Sequence, residues 1–415
     1  MSKIFLTLGL VCLHLSSAFS QQDFEKFNFL GINGSAEVPF RYIQGFIIVE
    51  ATLNELHSIN LILDTGAQNT ILFHPKSVEL YGMETTRDIE LMGSDMERVV
   101  DASICRGNLL SLHEYPAVKM DLVVLKEDIP KLSQTIGYPV HGLLGGRALW
   151  GLVLSIDFEK EVITLTRKSE APSLVGDLRY EALPIEVRKH KPYLKLTYTT
   201  AQGEEKDLRV LVDTGSALPI LIFTDIDSSY QLPDKYVRAP LGQGIGGKIM
   251  GFMGKIQRLS ISDLLYFPSP ICHLQEIEDD LDPRVDLIRN GLIGNPILSR
   301  FHIIIDYVDQ KMYLRPNAYY RDKFAVDMTG MQLIATGRNL NRFVVGAVID
   351  SSPAAVADIR KGDEIRRIGL TPAGLLDLSQ ISKKLMRREG KRVRLIIRRD
   401  GQKLIKSVRL RDYLK

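Results

Sequence analysis

The strongest constraint on this chain is that it repeats itself at a fixed interval. Leu61-Ile62-Leu63-Asp64-Thr65-Gly66-Ala67 recurs 149 residues later as Val210-Leu211-Val212-Asp213-Thr214-Gly215-Ser216. The same interval relates Leu143-Leu144-Gly145 to Leu292-Ile293-Gly294 and Ser155-Ile156-Asp157-Phe158 to Ile304-Ile305-Asp306-Tyr307. It also relates Leu109-Leu110-Ser111-Leu112 to Arg258-Leu259-Ser260-Ile261. Four landmarks in one register imply that the segment from about Val38 to Pro316 is a duplication. Each copy of the first landmark is an apolar strand running into Asp-Thr-Gly, where a glycine free to take positive φ allows a sharp turn that aims the aspartate toward a cleft. One such turn is an ordinary surface feature. Two, at matching places in a duplicated chain, predict two carboxylates face to face, the geometry in which a pair shares one proton and activates a water.

Around these landmarks, β-branched and apolar clusters separated by Gly, Pro and Asn predict a mainly β fold. Each half runs from Asp-Thr-Gly through a glycine-bearing middle to an apolar-apolar-Gly segment and then a strand through a second aspartate. In this order and spacing the chain resembles the aspartic proteases, with retropepsin-like halves at 38–170 and 171–320 joined into one bilobal chain of the pepsin type. The resemblance implies an endopeptidase acting on peptide or protein substrates, with Asp64 and Asp213 as the catalytic pair supported by Thr65, Gly66, Thr214, Gly215 and Ser216. It implies no cofactor, and a monomer, because one chain supplies both halves. It implies that Thr65 and Thr214 bond across the halves beneath the carboxylates, and that the Ser216 hydroxyl bonds the outer oxygen of Asp213. Since Ala67 stands where the first half would need that serine, Asp213 is expected to be the better stabilised anion and Asp64 the proton carrier. A catalytically inactive scaffold of the same fold, capturing extended peptides, is the alternative; the presence of both aspartates argues against it.

Gly242-Gln243-Gly244-Ile245-Gly246-Gly247-Lys248 formally fits two phosphate-binding patterns. One needs a helix next, yet Ile249 to Ile261 alternates like a strand; the other needs Ser or Thr where Ile249 stands. A glycine-rich hairpin tip is the better reading, and it looks like the flap of retropepsins, with Gly244, Ile245, Gly246 and Gly247 closing over a bound peptide. The first half has lost most of these glycines at Met92-Gly93-Ser94-Asp95. Asp157 and Asp306 each precede a turn and read as structural. No His-Glu-x-x-His spacing or Cys-rich cluster predicts a metal site.

The two ends of the chain differ in kind from the duplicated body. Residues 1–20 have a lysine, an apolar run from Ile4 to Leu15 and Ala18-Phe19-Ser20, the pattern of a signal peptide for an exported, periplasmic or extracellular protein. That run is too short to span a bilayer, and no later segment is apolar enough to do so. Residues 21–37 read as a lead-in. Ala318 to Lys415 carries 22 Lys and Arg against 10 Asp and Glu, so a basic tail follows an acidic body. No aromatic interleaving accompanies the charge, so it reads as a solvated face and not as a nucleic-acid surface. From about Ala325, Gly330-Met331-Gln332-Leu333-Ile334, Ser351-Ser352-Pro353-Ala354-Ala355 and Lys361-Gly362-Asp363-Glu364-Ile365 resemble in order the landmarks of a PDZ domain, an α+β unit, here at 325–412. Leu378, Ile381 and Leu385 follow on a helical period, and two closing strands meet at Asp400-Gly401. The resemblance implies that peptide termini bind by strand addition, their carboxylate received by the loop Gly330, Met331, Gln332 and Leu333. Such a tail is expected to recruit substrates by tethering them near the active site, with no part in the chemistry.

Overall fold

The computed structural model describes residues 30, 34–94, 98–128, 131–174, 176–200, 202–223, 232–275, 289–324, 327–386 and 388–414. The segments read as signal peptide and most of the lead-in lie outside them. The fold is mainly β, and its elements recur at the interval seen in the sequence. The strands Gly142–Gly145, Leu152–Asp157 and Val162–Arg167 reappear without shift as Gly291–Gly294, Phe301–Asp306 and Lys311–Pro316.

Within each half the aspartate strand is held on both sides. His57–Asp64 runs antiparallel to Phe46–Leu53 and parallel to Gly142–Gly145, with Asp64 opposite Gly145. Glu205–Asp213 runs antiparallel to Lys191–Thr199 and parallel to Gly291–Gly294, with Asp213 opposite Gly294. A strand with neighbours on both sides and apolar residues on both faces is buried throughout, which accounts for the continuous runs Leu61-Ile62-Leu63 and Val210-Leu211-Val212. The short apolar-Gly strands also pair with Ile71–Leu72 and Ile220–Phe223. That crossing is tight: a Cβ at Gly142 would lie 2.1 Å from the Ile71 carbonyl oxygen, and one at Gly291 would lie 1.9 Å from that of Leu221. These glycines are fixed by space.

The halves are joined by an antiparallel platform in which Leu152–Asp157 pairs with Phe301–Asp306, Ile156 opposite Ile303 and Leu154 opposite Ile305. Val162–Arg167 and Lys311–Pro316 extend it outward, then Ser35–Ile43 and Glu181–Arg188. The first of these edge strands starts at Ser35, inside the segment read as lead-in, because Ala36, Val38 and Phe40 alternate into the core. One apolar cluster runs from Val38 and Leu63 through Leu154 and Ile305 to Val212, so the platform and both aspartate strands share a core. Asp157 and Asp306 cap turns, each accepting two amide N–H bonds through Oδ1. Cys105 and Cys272 are both free and buried.

The tail has its own sheet and its own core. Its helix Leu378–Leu385 buries Leu378, Ile381 and Leu385 and starts at a capping box between Asp377 and Gln380. Arg392–Arg399 and Gln402–Arg409 pair across Asp400 and Gly401, whose φ values of 49° and 79° make the turn type that suits a two-residue hairpin. Much of the basic surplus faces acids: Arg342, Arg366 and Arg398 surround Glu364, and Arg360, Arg399 and Lys406 surround Asp358. The tail also packs on the body. Lys255 pairs with Asp412 at 2.8 Å, Leu414 packs with Ile271, and Gln44 donates to the Ser382 hydroxyl at 3.2 Å. At Gly137 a Cβ would lie 2.8 Å from that of Leu378, at the start of the tail helix.

Forcing a methyl against a backbone carbonyl destabilises, by about 3 kcal/mol for such overpacking. Gly291→Ala is therefore expected to lower the thermal midpoint sharply, whereas Gly242→Ala, with nothing within 4 Å of the added carbon, leaves it near wild type. Calorimetry on the two variants checks this.

Candidate active site

The two Asp-Thr-Gly turns meet at the floor of a cleft of about 1210 Å³. Beneath them, Thr65 and Thr214 exchange bonds between the halves. The Thr65 amide donates to Thr214 Oγ1 at 3.0 Å, and the Thr214 amide to Thr65 Oγ1 at 3.1 Å. Thr65 Oγ1 donates to the Val212 carbonyl at 2.7 Å, and Thr214 Oγ1 to the Leu63 carbonyl at 2.8 Å. Each hydroxyl is thus used as both donor and acceptor, and both side chains are fully buried. Gly66 and Gly215 make room for the carboxylates. A Cβ on Gly66 would lie 2.6 Å from Asp213 Cγ, and one on Gly215 would lie 2.4 Å from Asp64 Cγ.

Asp64 and Asp213 are hydrogen-bonded to each other. Asp64 Oδ1 accepts the amides of Gly66 and Ala67, both at 2.8 Å, and Asp213 Oδ1 accepts that of Gly215 at 2.9 Å. Burial raises the Asp64 carboxyl well above the usual range, and the charge of Asp213 raises it further. Burial also raises Asp213, but Arg289 opposes this first, followed by the Gly215 amide, the Asp64 bond and Lys191. Burial and mutual repulsion thus favour one proton shared by the pair, and the cations on the Asp213 side draw the remaining charge toward it. Ser216 is buried, and its hydroxyl accepts the Leu218 amide at 3.2 Å; among the described residues no bond from it to Asp213 is found.

The second-half hairpin of Tyr236–Gly244 and Gly247–Lys255 turns at Ile245 and Gly246, with Gly244 opposite Gly247. Gly246 and Gly247 have φ of 110° and 132°, conformations open to glycine. Gly244 and Ile245 line the cleft. The tip crosses to the first half: the Ile245 carbonyl accepts the Ser94 amide at 2.5 Å, the Ile245 side chain packs on the first-half cluster, and Arg98 reaches the Gly246 carbonyl at 3.5 Å. Met92, Gly93 and Ser94 of the first-half hairpin line the cleft too, while Asp95 lies outside the described residues. No helix follows the glycines, so the phosphate-binding context is missing.

Gly330, Met331, Gln332 and Leu333 line this same cleft, together with Leu378, Ser382 and Leu385 of the tail helix. Asp327 orders the loop by accepting from the Thr329 amide and hydroxyl and the Gly330 amide. The first-half segment Leu132–Ile136 lies against the tail strand Met331–Thr336.

Three residues at this site escaped sequence reasoning. Lys191 and Arg289 line the cleft beside the aspartates, and Asn295 Nδ2 bridges the Gly45 and Thr214 carbonyls at 2.7 and 2.6 Å. Comparing the halves position by position would have flagged them, because 149 residues earlier stand Tyr42, Val140 and Gly146. Among the described residues no group of three or more metal-ligating side chains is found.

No family model matches the chain, and no curated protein matches it. Among solved structures, an aspartic proteinase from Irpex lacteus is similar at 14% identity, over 70% of this chain and 99% of that one, with a TM-score of 0.40.

Because the folded chain keeps the Asp64 proton at pH values where the unfolded chain has lost it, stability falls as pH rises from the ordinary carboxylate range through the raised value. Asp64→Asn removes that loss. Its thermal midpoint is expected to exceed that of wild type at pH 7 and to lose this advantage near pH 3; no excess at pH 7 would mean that Asp64 is not held protonated.

Proposed function

We propose that the chain is an aspartic endopeptidase. The observation that carries this reading is the buried, hydrogen-bonded pair Asp64 and Asp213 at the floor of a cleft covered by a glycine-rich hairpin tip. A water held between them is deprotonated by Asp213 as its oxygen attacks the scissile carbonyl carbon, while Asp64 gives its proton to the carbonyl oxygen. The resulting diol collapses when Asp213 returns the proton to the leaving nitrogen and a hydroxyl proton passes back to Asp64, which restores the pair. The hairpin excludes bulk water and gives the substrate backbone an edge to pair with. One chain supplies both halves of the site, so the enzyme acts as a monomer.

The basic tail fits a PDZ domain, and peptide termini are its proposed ligands. Its loop and helix border the dyad's own cleft, which supports a role as a wall of the substrate site in place of the remote tether expected from sequence. The N-terminal pattern supports export to the periplasm or the outside of the cell. Among the described residues no helix is long and apolar enough to cross a membrane.

Incubation with a diverse peptide mixture, read by mass spectrometry, tests the reading. Wild type is expected to cut peptides, and Asp64→Asn and Asp213→Asn each to lose about a thousandfold or more of that activity, because an amide can neither take nor give the proton. Either variant retaining most of its turnover would rule out the shared-pair mechanism, and a wild type that binds peptides but cuts none would be the scaffold.

A further inference from the structure

The cleft has two unlike walls, and the difference lies in charge. On the second-half side, Lys191 begins the strand beside the Asp213 strand, and Arg289 stands two residues before Gly291–Gly294. The guanidinium of Arg289 sits 5.4 Å from the centre of the Phe223 ring, and its Nη1 is buried without a hydrogen-bond partner. Lys191 and Arg289 act on each other electrostatically, and neither side chain has a hydrogen bond or ion pair among the described residues. The walls around them, Tyr193, Leu211, Leu221, Phe223 and Leu292, are largely apolar. On the first-half side the matching positions hold Tyr42 and Val140, and the wall is Ile62, Ile71 and Leu143.

A cation in such surroundings is costly unless an anion faces it. Among the described residues, the groups that act on Arg289 are Asp213, then Tyr193, then Asp64, and on the sharing of one proton the two carboxylates carry a single negative charge. Among the described residues beside the dyad, two cations thus face one negative charge, in a low-dielectric wall that strengthens their attraction for a further anion.

We infer that Lys191 and Arg289 form a subsite for a carboxylate of the substrate, so that the scissile bond lies between an apolar residue held by the first half and an acidic group held by the second. The inference rests on the peptidase reading. The carboxylate has two possible sources, an Asp or Glu side chain or the peptide's own C-terminus, and one peptide set separates them. An end-blocked peptide with Gln at each position in turn is compared with its Glu counterpart and with the Gln peptide left with a free C-terminal carboxylate.

Affinity is measured by fluorescence anisotropy on the Asp64→Asn protein, which keeps the pair at one negative charge and does not consume the peptide. The Glu peptide or the free-carboxylate peptide is expected to bind about tenfold or more tightly than the neutral one. Adding Arg289→Gln collapses this ratio toward one, and Arg289→Glu reverses it in favour of a Lys peptide. Lys191→Gln lowers it in the same direction. A ratio near one in the Asp64→Asn protein, or a preference that survives Arg289→Glu, overturns the subsite and leaves the cations as supports for Asp213. Cleavage by wild type is scored separately: a protein that shows the charge preference but cuts nothing keeps the subsite and loses the peptidase reading.

Discussion

Everything at this site depends on a reciprocal exchange of four hydrogen bonds between two threonines. Thr65 and Thr214 each accept an amide of the opposite half and donate to a carbonyl of the opposite half, with no polar atom of either hydroxyl left over. Such a buried network is stable only when complete, because each missing partner strands a polar group out of reach of water. It therefore fixes the distance between the two aspartate strands far more tightly than apolar packing across the platform would. The glycines that follow can then admit the opposing carboxylate at distances no side chain would tolerate.

Symmetry brings the carboxylates together, and departures from it make them different. The backbone around the two aspartates is nearly the same, and by amide bonds alone Asp64 would be the better anion, with two to the one of Asp213. Charge reverses that order. Arg289 and Lys191 stand on one side only and favour ionisation of Asp213, while burial and the charge of Asp213 raise Asp64. In a duplicated chain the fold is conveyed by what the halves share, and the chemistry by what they do not.

This explains how much was legible in the sequence. The 149-residue register, the paired Asp-Thr-Gly turns and the hairpin at Gly244 to Gly247 were readable because each is a local pattern with one geometric solution. The tail helix at Leu378, Ile381 and Leu385 and the turn at Asp400-Gly401 were readable for the same reason. The bond expected from Ser216 to Asp213 is absent among the described residues because a hydroxyl can also accept, and here the nearby Leu218 amide donates to it. Arg289 was missed because nothing local distinguishes a buried arginine from a solvated one; its place is set by Phe223, far away in the sequence, whose ring it covers. The start of the first strand was placed late because Pro39 and Gly34 look like punctuation, while the pairing with Val162–Arg167 overrides them.

The tail loop and the dyad border one cavity, and this changes how their contributions combine. Two sites joined by a flexible linker bind one ligand in two steps, and the gain is an effective concentration that linker length dilutes. Two patches on one wall engage a ligand in a single step, with no intervening chain to order, so their free energies sum and the loss of orientational freedom is incurred once. Under the proposed function, contacts made at Gly330 to Leu333 would then act on the reacting bond as strain or alignment, because a peptide pinned at one end of a rigid trough cannot slide at the other.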